Sequence, residues 1–489
     1  MVAVECDLCP QAGSVRLEGE TVRALGEVFA AARERGGLPG VCWAVASSKG
    51  MLCYGQEGAA ALESGARLTP QTVFRIASMT KSITACCLLM LRDAGVLSLD
   101  ESVGAYLPEL RLSGYPGELA RWVTLRHLLT MSAGLVEDDP WADRHLDMSD
   151  GDFTSLLRSG IPLDRLPGRE FEYSNLGYAI LGRVLEVVTG STLPAFAARR
   201  LFQPLGMGST HFELDDVDPS RRADGHRLAD HGLVVEPALH HGAFGAMGGV
   251  WTSIADFSSY AQLHLRAWTT AEPDPESPVA TPSLREMHQP HRAIRPGRAV
   301  RTGVGGLGYG FGLFSGWHER QGRVVFHSGG LPGFGSHVEW LPDCDLAVFA
   351  FSNLTYAPMR VAVGEAIEVL DRAGLLAPRH EEPAPELVRA RDLLVSAYQQ
   401  GTLVGWAELA ADNLFRDRDL QTRNVELGRL RARLGRFQKV GPLRSSARLR
   451  GTVTLHCEAG DLECELWLSP AASAGVQLLA FRTPGVDPS

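Results

Sequence analysis

Phe74-Arg75-Ile76-Ala77-Ser78-Met79-Thr80-Lys81 opens a run in which Ile83, Leu88, Leu89, Met90 and Leu91 alternate with the small Ala85, Cys86 and Cys87. A helix that is apolar nearly all round is buried on every side, so this segment reads as the central helix of the fold. Ser78 and Lys81 stand three residues apart at its start, where positions i and i+3 share a face. The helix N-terminus adds unpaired N–H groups and the positive end of a dipole, both favourable to a developing alkoxide or oxyanion. Burial disfavours a charged amine, so Lys81 is expected to lose its proton more easily than an ordinary lysine and to accept the proton of Ser78. Only Lys49, Lys81 and Lys439 among the 47 basic residues are lysine. Where arginine serves almost everywhere, a surviving lysine suggests a position that needs an amine able to deprotonate. Taken alone, Ser-x-x-Lys recurs by chance, and Lys81 would then be a structural lysine snorkelling from the helix start.

Two further stretches carry polar chemistry. Glu172-Tyr173-Ser174-Asn175 precedes an apolar-periodic segment that ends at Gly190, a residue suited to a helix C-cap. Tyr173 offers a phenol that can trade protons with a nearby serine–lysine pair, and Asn175 an amide that can bind a substrate carbonyl. In isolation the same residues are a helix cap and a packing aromatic. His327-Ser328-Gly329-Gly330 follows Val324-Val325-Phe326 at the expected end of a strand. Small residues there would let a substrate backbone approach, and the N–H of Gly330 could complete an oxyanion hole with that of Ser78. In isolation this is a strand running into a glycine-rich turn.

Around these motifs the pattern predicts a helix over 20–35, a hairpin from strands over 41–46 and 51–55, and a long helical region from 78 to about 265. Residues 271–303, rich in proline and arginine, read as a surface excursion near the site's rim. Strands are expected over 309–317, 322–327, 336–341 and 346–352, then a helix over 359–372. Early strands, a helical insertion and late strands imply an antiparallel sheet flanked by helices, with its first and last segments side by side. This α+β unit is expected over 15–378, with a linker at 379–385 and a small α+β domain over 386–489. Within the latter, a two-residue Gly460-Asp461 turn would set Cys457 opposite Cys464, Leu455 opposite Leu466 and Val453 opposite Leu468.

A formal charge of -10 excludes a nucleic-acid partner, whose phosphates call for a basic surface. The first nine residues lack the basic and apolar regions of a signal peptide, and no uncharged apolar run reaches spanning length. A cytoplasmic protein with no membrane partner is the expectation. The nine cysteines, Cys6-x-x-Cys9 included, read as free thiols. No metal is expected, since His240 and His241 are adjacent and would point apart, and no cofactor is expected either. Gly303-x-Gly305-x-x-Gly308 spells a dinucleotide fingerprint but is followed by a strand pattern where that fingerprint needs a helix. Neither Gly-x-Ser-x-Gly nor His-Glu-x-x-His occurs. Ten arginines between 416 and 450 are interleaved with Asp417, Asp419 and Glu426 and read as a solvated helical face.

Ser78-x-x-Lys81, Tyr173-Ser174-Asn175 and His327-Ser328-Gly329, in that order, resemble the three active-site motifs of the class C β-lactamase and penicillin-binding-protein-like serine hydrolases. This β-lactamase-related, peptidase S12-like group includes D-aminopeptidases, D,D-carboxypeptidases, family VIII esterases and penicillin-binding-protein-type peptide cyclases. Val123-Thr124-Leu125-Arg126-His127-Leu128-Leu129-Thr130, Pro204-Leu205-Gly206-Met207, Gly248-Gly249-Val250-Trp251-Thr252-Ser253 and Tyr309-Gly310-Phe311-Gly312-Leu313 also look like the family, so the likeness covers roughly 20–374. The resemblance implies that Ser78 attacks an acyl carbonyl, that Lys81 and Tyr173 share the proton work, and that Asn175 orients the acyl side chain. It departs at the third motif: many penicillin-recognising members carry lysine there, whereas His327 would be largely neutral near pH 7 and a weaker, pH-dependent anion site. Peptide amides or esters are therefore expected as substrates, with weak or no β-lactam hydrolysis; acyl transfer, peptide cyclisation and noncatalytic peptide binding are the alternatives. Leu430-x-x-x-Leu434-Gly435-x-Phe437 and the strands after it resemble small cystatin-like or NTF2-like domains, which implies peptide binding, shaping of the entrance, or homodimer formation.

Overall fold

Val41, Trp43 and Val45 face one side of their strand and Cys42, Ala44 and Ala46 the other, and all six are fully buried. A strand with no solvent face needs cover on both sides, which fixes a layered architecture with the sheet in the middle. The computed structural model describes residues 3–5, 17–114, 122–269, 274–295, 303–377 and 382–483. It divides into two compact units, Met1–Pro378 and Arg379–Ser489.

In the first unit, helix α1 (Gly19–Gly36) leads into strands β1 (Gly40–Ser47) and β2 (Gly50–Ala61). Then come the central helix α2 (Thr80–Asp93), α3 (Asn175–Thr189), the short α4 (Gly245–Gly248) and α5 (Ile254–Thr269). Strands β3 (Val304–Tyr309), β4 (Phe314–His318), β5 (Gly322–Leu331), β6 (Phe334–Leu341) and β7 (Leu346–Ser352) and helix α6 (Met359–Arg372) complete it. The ten-stranded antiparallel sheet runs Ala3–Glu5, β2, β1, β7, β6, β5, β4, β3, Arg292–Ala293, with Ala66–Arg67 beside β2. An early and a late strand meet where β7 pairs with β1 in the register Phe349↔Ala44. On one face α1 and α6 cover Trp43, Val45 and Val348; on the other, α5 and the helical region cover Cys42, Ala44 and Phe349. Phe29 of α1 stacks on Trp43 at 4.8 Å and 11°.

In the first unit three expectations differ from what forms. The strand expected over 309–317 is two strands, β3 and β4, joined through Gly310 to Leu313. Gly312 takes φ +73°, and a Cβ there would stand 2.7 Å from the Lys81 carbonyl, so the chain turns at this point to pack on α2. The strand expected over 322–327 continues to Leu331, so His327 to Gly330 lie inside β5 and form no turn. The stretch 271–303 contains a helix, Thr281–Met287, anchored by the buried Leu284 and Met287; residues 270–273 and 296–302 lie outside the described residues, as do Cys6 and Cys9. The seven cysteines from Cys42 to Cys464 are buried and unbridged. No single helix among the described residues is long and apolar enough to cross a membrane.

The second unit places α7 (Pro385–Gln400) and α8 (Leu420–Leu434) against strands β8 (Phe437–Val440), β9 (Arg444–Ala447), β10 (Arg450–Cys457), β11 (Gly460–Leu468) and β12 (Val476–Arg482). Its hairpin turns at Glu458-Ala459, and the register is Val453↔Cys464, Leu455↔Leu462 and Cys457↔Gly460, four residues from the expected one. An even slip keeps every side chain on its face, so Val453, Leu455, Cys457, Leu462, Cys464, Leu466 and Leu468 are buried together. The end of α8 decides the turn: Ala459 N–H donates to the Leu434 carbonyl, and Arg436 N–H to Glu458 Oε2.

Replacing Phe29 by Ala removes the stacked ring between α1 and the sheet. The first unit should lose about 3–5 kcal/mol, read as a lower denaturant midpoint by tryptophan fluorescence.

Candidate active site

Ser78 sits on a 3₁₀ turn, Ala77–Met79, that feeds directly into α2. Ala77 is held at φ +50°, a left-handed conformation costly for a residue with a Cβ and sustained only where its surroundings over-determine it. Those surroundings are hydrogen bonds: Ile76 N–H donates to the Val250 carbonyl, Ser336 Oγ to the Ile76 carbonyl, and Val250 N–H to Thr80 Oγ1. Gly329 of β5 crosses close by, where a Cβ would lie 2.2 Å from the Ile76 carbonyl oxygen. The Ser78 turn is thereby clamped between the Val250 segment and the sheet.

Lys81 is completely buried, whereas Lys49 and Lys439 are exposed. Its Nζ donates to Ser78 Oγ at 2.9 Å and to the Met247 carbonyl, on α4, at 2.9 Å. α4 can come this close because Gly182 of α3 has no side chain, a Cβ there falling 2.7 Å from that of Ala246. Burial drags the Lys81 amine down to about 8 even though Asp139, Asp143 and Asp138 pull upward. Dehydration therefore outweighs three carboxylates, against the charged form by about 3 kcal/mol.

Tyr173 stands over the same pair, with Lys81 Nζ 4.9 Å from its ring centroid. Burial, reinforced by Asp139, holds its phenol well above 10, and a hydrogen bond with Ser78 works the other way. The loop carrying Tyr173 is fixed by the buried Asp138, whose Oδ1 accepts from Asn175 N–H at 2.6 Å and Oδ2 from Leu176 N–H at 2.8 Å. Asp138 thus caps α3 together with Ser174, whose hydroxyl accepts from Gly177 N–H. Asn175 is fully buried inside this arrangement and does not line the cavity in front of Ser78; its Nδ2 donates to Asp139 Oδ1 at 2.6 Å. Asp139 stands at the cavity wall where the sequence pattern had suggested the amide.

The third motif also lies differently. β4 pairs with β5 only as far as Phe314↔Phe326, so from His327 onward that edge of β5 has no strand across it among the described residues, and His327, Ser328, Gly329 and Gly330 line the cavity with Ser78. His327 is buried and its ring is engaged at both nitrogens. The Ser328 carbonyl, 2.6 Å from Nδ1, can only accept, so Nδ1 carries the proton and Nε2 accepts from the Tyr309 hydroxyl at 3.2 Å. Burial, aided by Lys81, pushes the ring down to about 3. His327, expected to be largely neutral near pH 7, is neutral there and stays so well into acid, and the imidazole works as a brace between β3 and β5. Ser328 Oγ is 2.8 Å from Nδ1 of the buried His337.

The cavity measures ≈ 790 Å³. Besides the motif residues, its wall includes Glu137, Asp139, Asp143 and Tyr356. Sequence reasoning missed these four, because they follow no spacing rule; Asp138-Asp139 before the motif at 173 was the available hint. The arrangement offers a hydroxyl, a low-lying amine within hydrogen-bonding reach, a high-lying phenol and an open strand edge in one concave site.

A model of the family described as "Beta-lactamase" matches residues 25–371. Protein flp of Staphylococcus aureus is 24% identical over 351 residues, 71% of this chain; the chain spans 66% of that relative's length. Penicillin-binding protein 4 of Amycolatopsis lactamdurans is 30% identical over 281 residues, covering 55% of this chain and 67% of its own. Among solved structures, an octameric penicillin-binding protein homologue from Pyrococcus abyssi superposes with a TM-score of 0.61 at 20% identity, over 94% of this chain and 95% of that one. The D-alanine carboxypeptidase AmpC from Burkholderia cenocepacia gives 0.57 at 18%, over 71% and 99%. Family match, sheet order and the serine–lysine start of the central helix agree: the chain belongs to the beta-lactamase family.

Proposed function

We propose that this protein is a serine hydrolase that opens amide or ester bonds through an acyl-enzyme on Ser78. The observation that carries the reading is the 2.9 Å contact between Ser78 Oγ and a fully buried amine brought down to about 8. Members of the β-lactamase and penicillin-binding-protein group are serine hydrolases, and the likeness of the fold supports the same general chemistry here.

In the reaction, neutral Lys81 takes the Ser78 proton as the oxygen attacks the acyl carbonyl. Tyr173, protonated throughout the neutral range, passes a proton to the leaving group and is reprotonated from Lys81. The N–H groups of Ser78 and Gly330 receive the oxyanion; both residues border the cavity. Water then attacks the ester by the reverse path. The neutral, doubly engaged His327 leaves the strand edge without the cation that would hold a β-lactam carboxylate. This supports peptide amides or esters over β-lactams as substrates.

A fluorophosphonate should label Ser78, located by mass spectrometry, and a penicillin should leave no stable adduct; absence of phosphonate labelling would remove the nucleophile. Both Lys81→Ala and Lys81→Arg should slow labelling about 10²–10⁴-fold, Arg because it keeps its proton. Because the active form of Lys81 is the neutral one, the labelling rate should climb with pH through a midpoint near 8. A flat profile from pH 6 to 9 would rule out this amine as the base.

A further inference from the structure

Asp139 and Asp143 border the cavity and form no ion pair among the described residues. Asp143 is 4% exposed, and its Oδ2 accepts from the Tyr356 hydroxyl at 2.9 Å. Asp139 Oδ1 accepts from Asn175 Nδ2. Each carboxylate therefore keeps a second oxygen that meets no hydrogen-bond donor among the described residues. A buried carboxylate without a counter-ion is costly, and proteins retain one where a ligand supplies the missing charge. Burial already pushes Asp143 up to about 7, with Asp139 adding to the effect.

A second set of residues points the same way. Ser328 Oγ lies 2.8 Å from His337 Nδ1, and His337 Nε2 lies 3.9 Å from Glu339 Oε2, with both His337 and Glu339 buried on β6. The Ser328 hydroxyl is thus tied to β6 by its hydrogen bond with His337. With His327 neutral, Arg360 is the guanidinium on this wall, at its exposed rim.

Resting on the hydrolase reading above, we propose that the acyl part of the substrate carries a protonated primary amine, which docks between Asp139 and Asp143 beside Ser78. Free amino-acyl amides or esters are the substrate class, and N-acylated counterparts are excluded.

The test is protection of Ser78 against a fluorophosphonate by amino-acid amides of both enantiomers and by their N-acetyl twins, so binding is read even without turnover. The free amine of at least one enantiomer should protect at about tenfold lower concentration than its twin, and Asp139→Asn or Asp143→Asn should shrink that gap while Ser78 still labels. Equal protection, better protection by the acetyl twin, or protection by neither would overturn the proposal. Should one variant fail to fold, the wild-type gap alone decides. No labelling of wild-type Ser78 would instead strike the hydrolase reading itself.

Discussion

The amine of Lys81 is denied water on every side, and the geometry of the site follows from how that is achieved. A charged ammonium in such a place needs either a close counter-ion or a way to shed its proton. Here Nζ is given two oxygens, Ser78 Oγ and the Met247 carbonyl, and no carboxylate among the described residues within ion-pair distance. Asp138, Asp139 and Asp143 act from further out, tempering the loss without cancelling it. The amine is thus left near the middle of its titration at mild pH, the condition under which a base serves best.

Holding that amine in place requires the elements around the start of α2 to crowd together more closely than side chains would ordinarily permit. Gly182 admits α4, Gly312 admits the β3–β4 connection against the Lys81 carbonyl, and Gly329 admits β5 against Ile76. The left-handed Ala77 is the residual strain of bringing the serine turn into this crowded position. On the opposite wall the sheet edge carries a braced His327 and Ser328, hydrogen-bonded with His337, while the helical side supplies Asp139 and Asp143. The proposed chemistry and the proposed substrate preference therefore draw on different elements facing one cavity.

Much of the fold was legible because its signals are local. The apolar run after Ser78, the glycine after Thr189 and the alternating strands depend on period and capping, which act over a few residues. The second unit's hairpin shows the limit. Alternation identified the buried face correctly, yet the register depended on hydrogen bonds from the end of α8 to Glu458 and Ala459, more than twenty residues from the helix start. The same limit split the strand pattern over 309–317, since contact with α2 decided where it broke.

The sequence by itself determined that a serine and a lysine share the first face of a buried helix, and that a tyrosine motif and a histidine–serine–glycine strand follow in order. Residue type and spacing suffice for that, because the helical repeat is fixed by the backbone. Tertiary structure alone decided protonation and orientation. It made Lys81 a low-lying amine, Tyr173 a high-lying phenol and His327 a neutral brace, and it turned Asn175 into the core while bringing Asp139 and Asp143 to the cavity. Desolvation and hydrogen-bond geometry depend on neighbours distant in the chain, and a one-dimensional pattern carries no record of them.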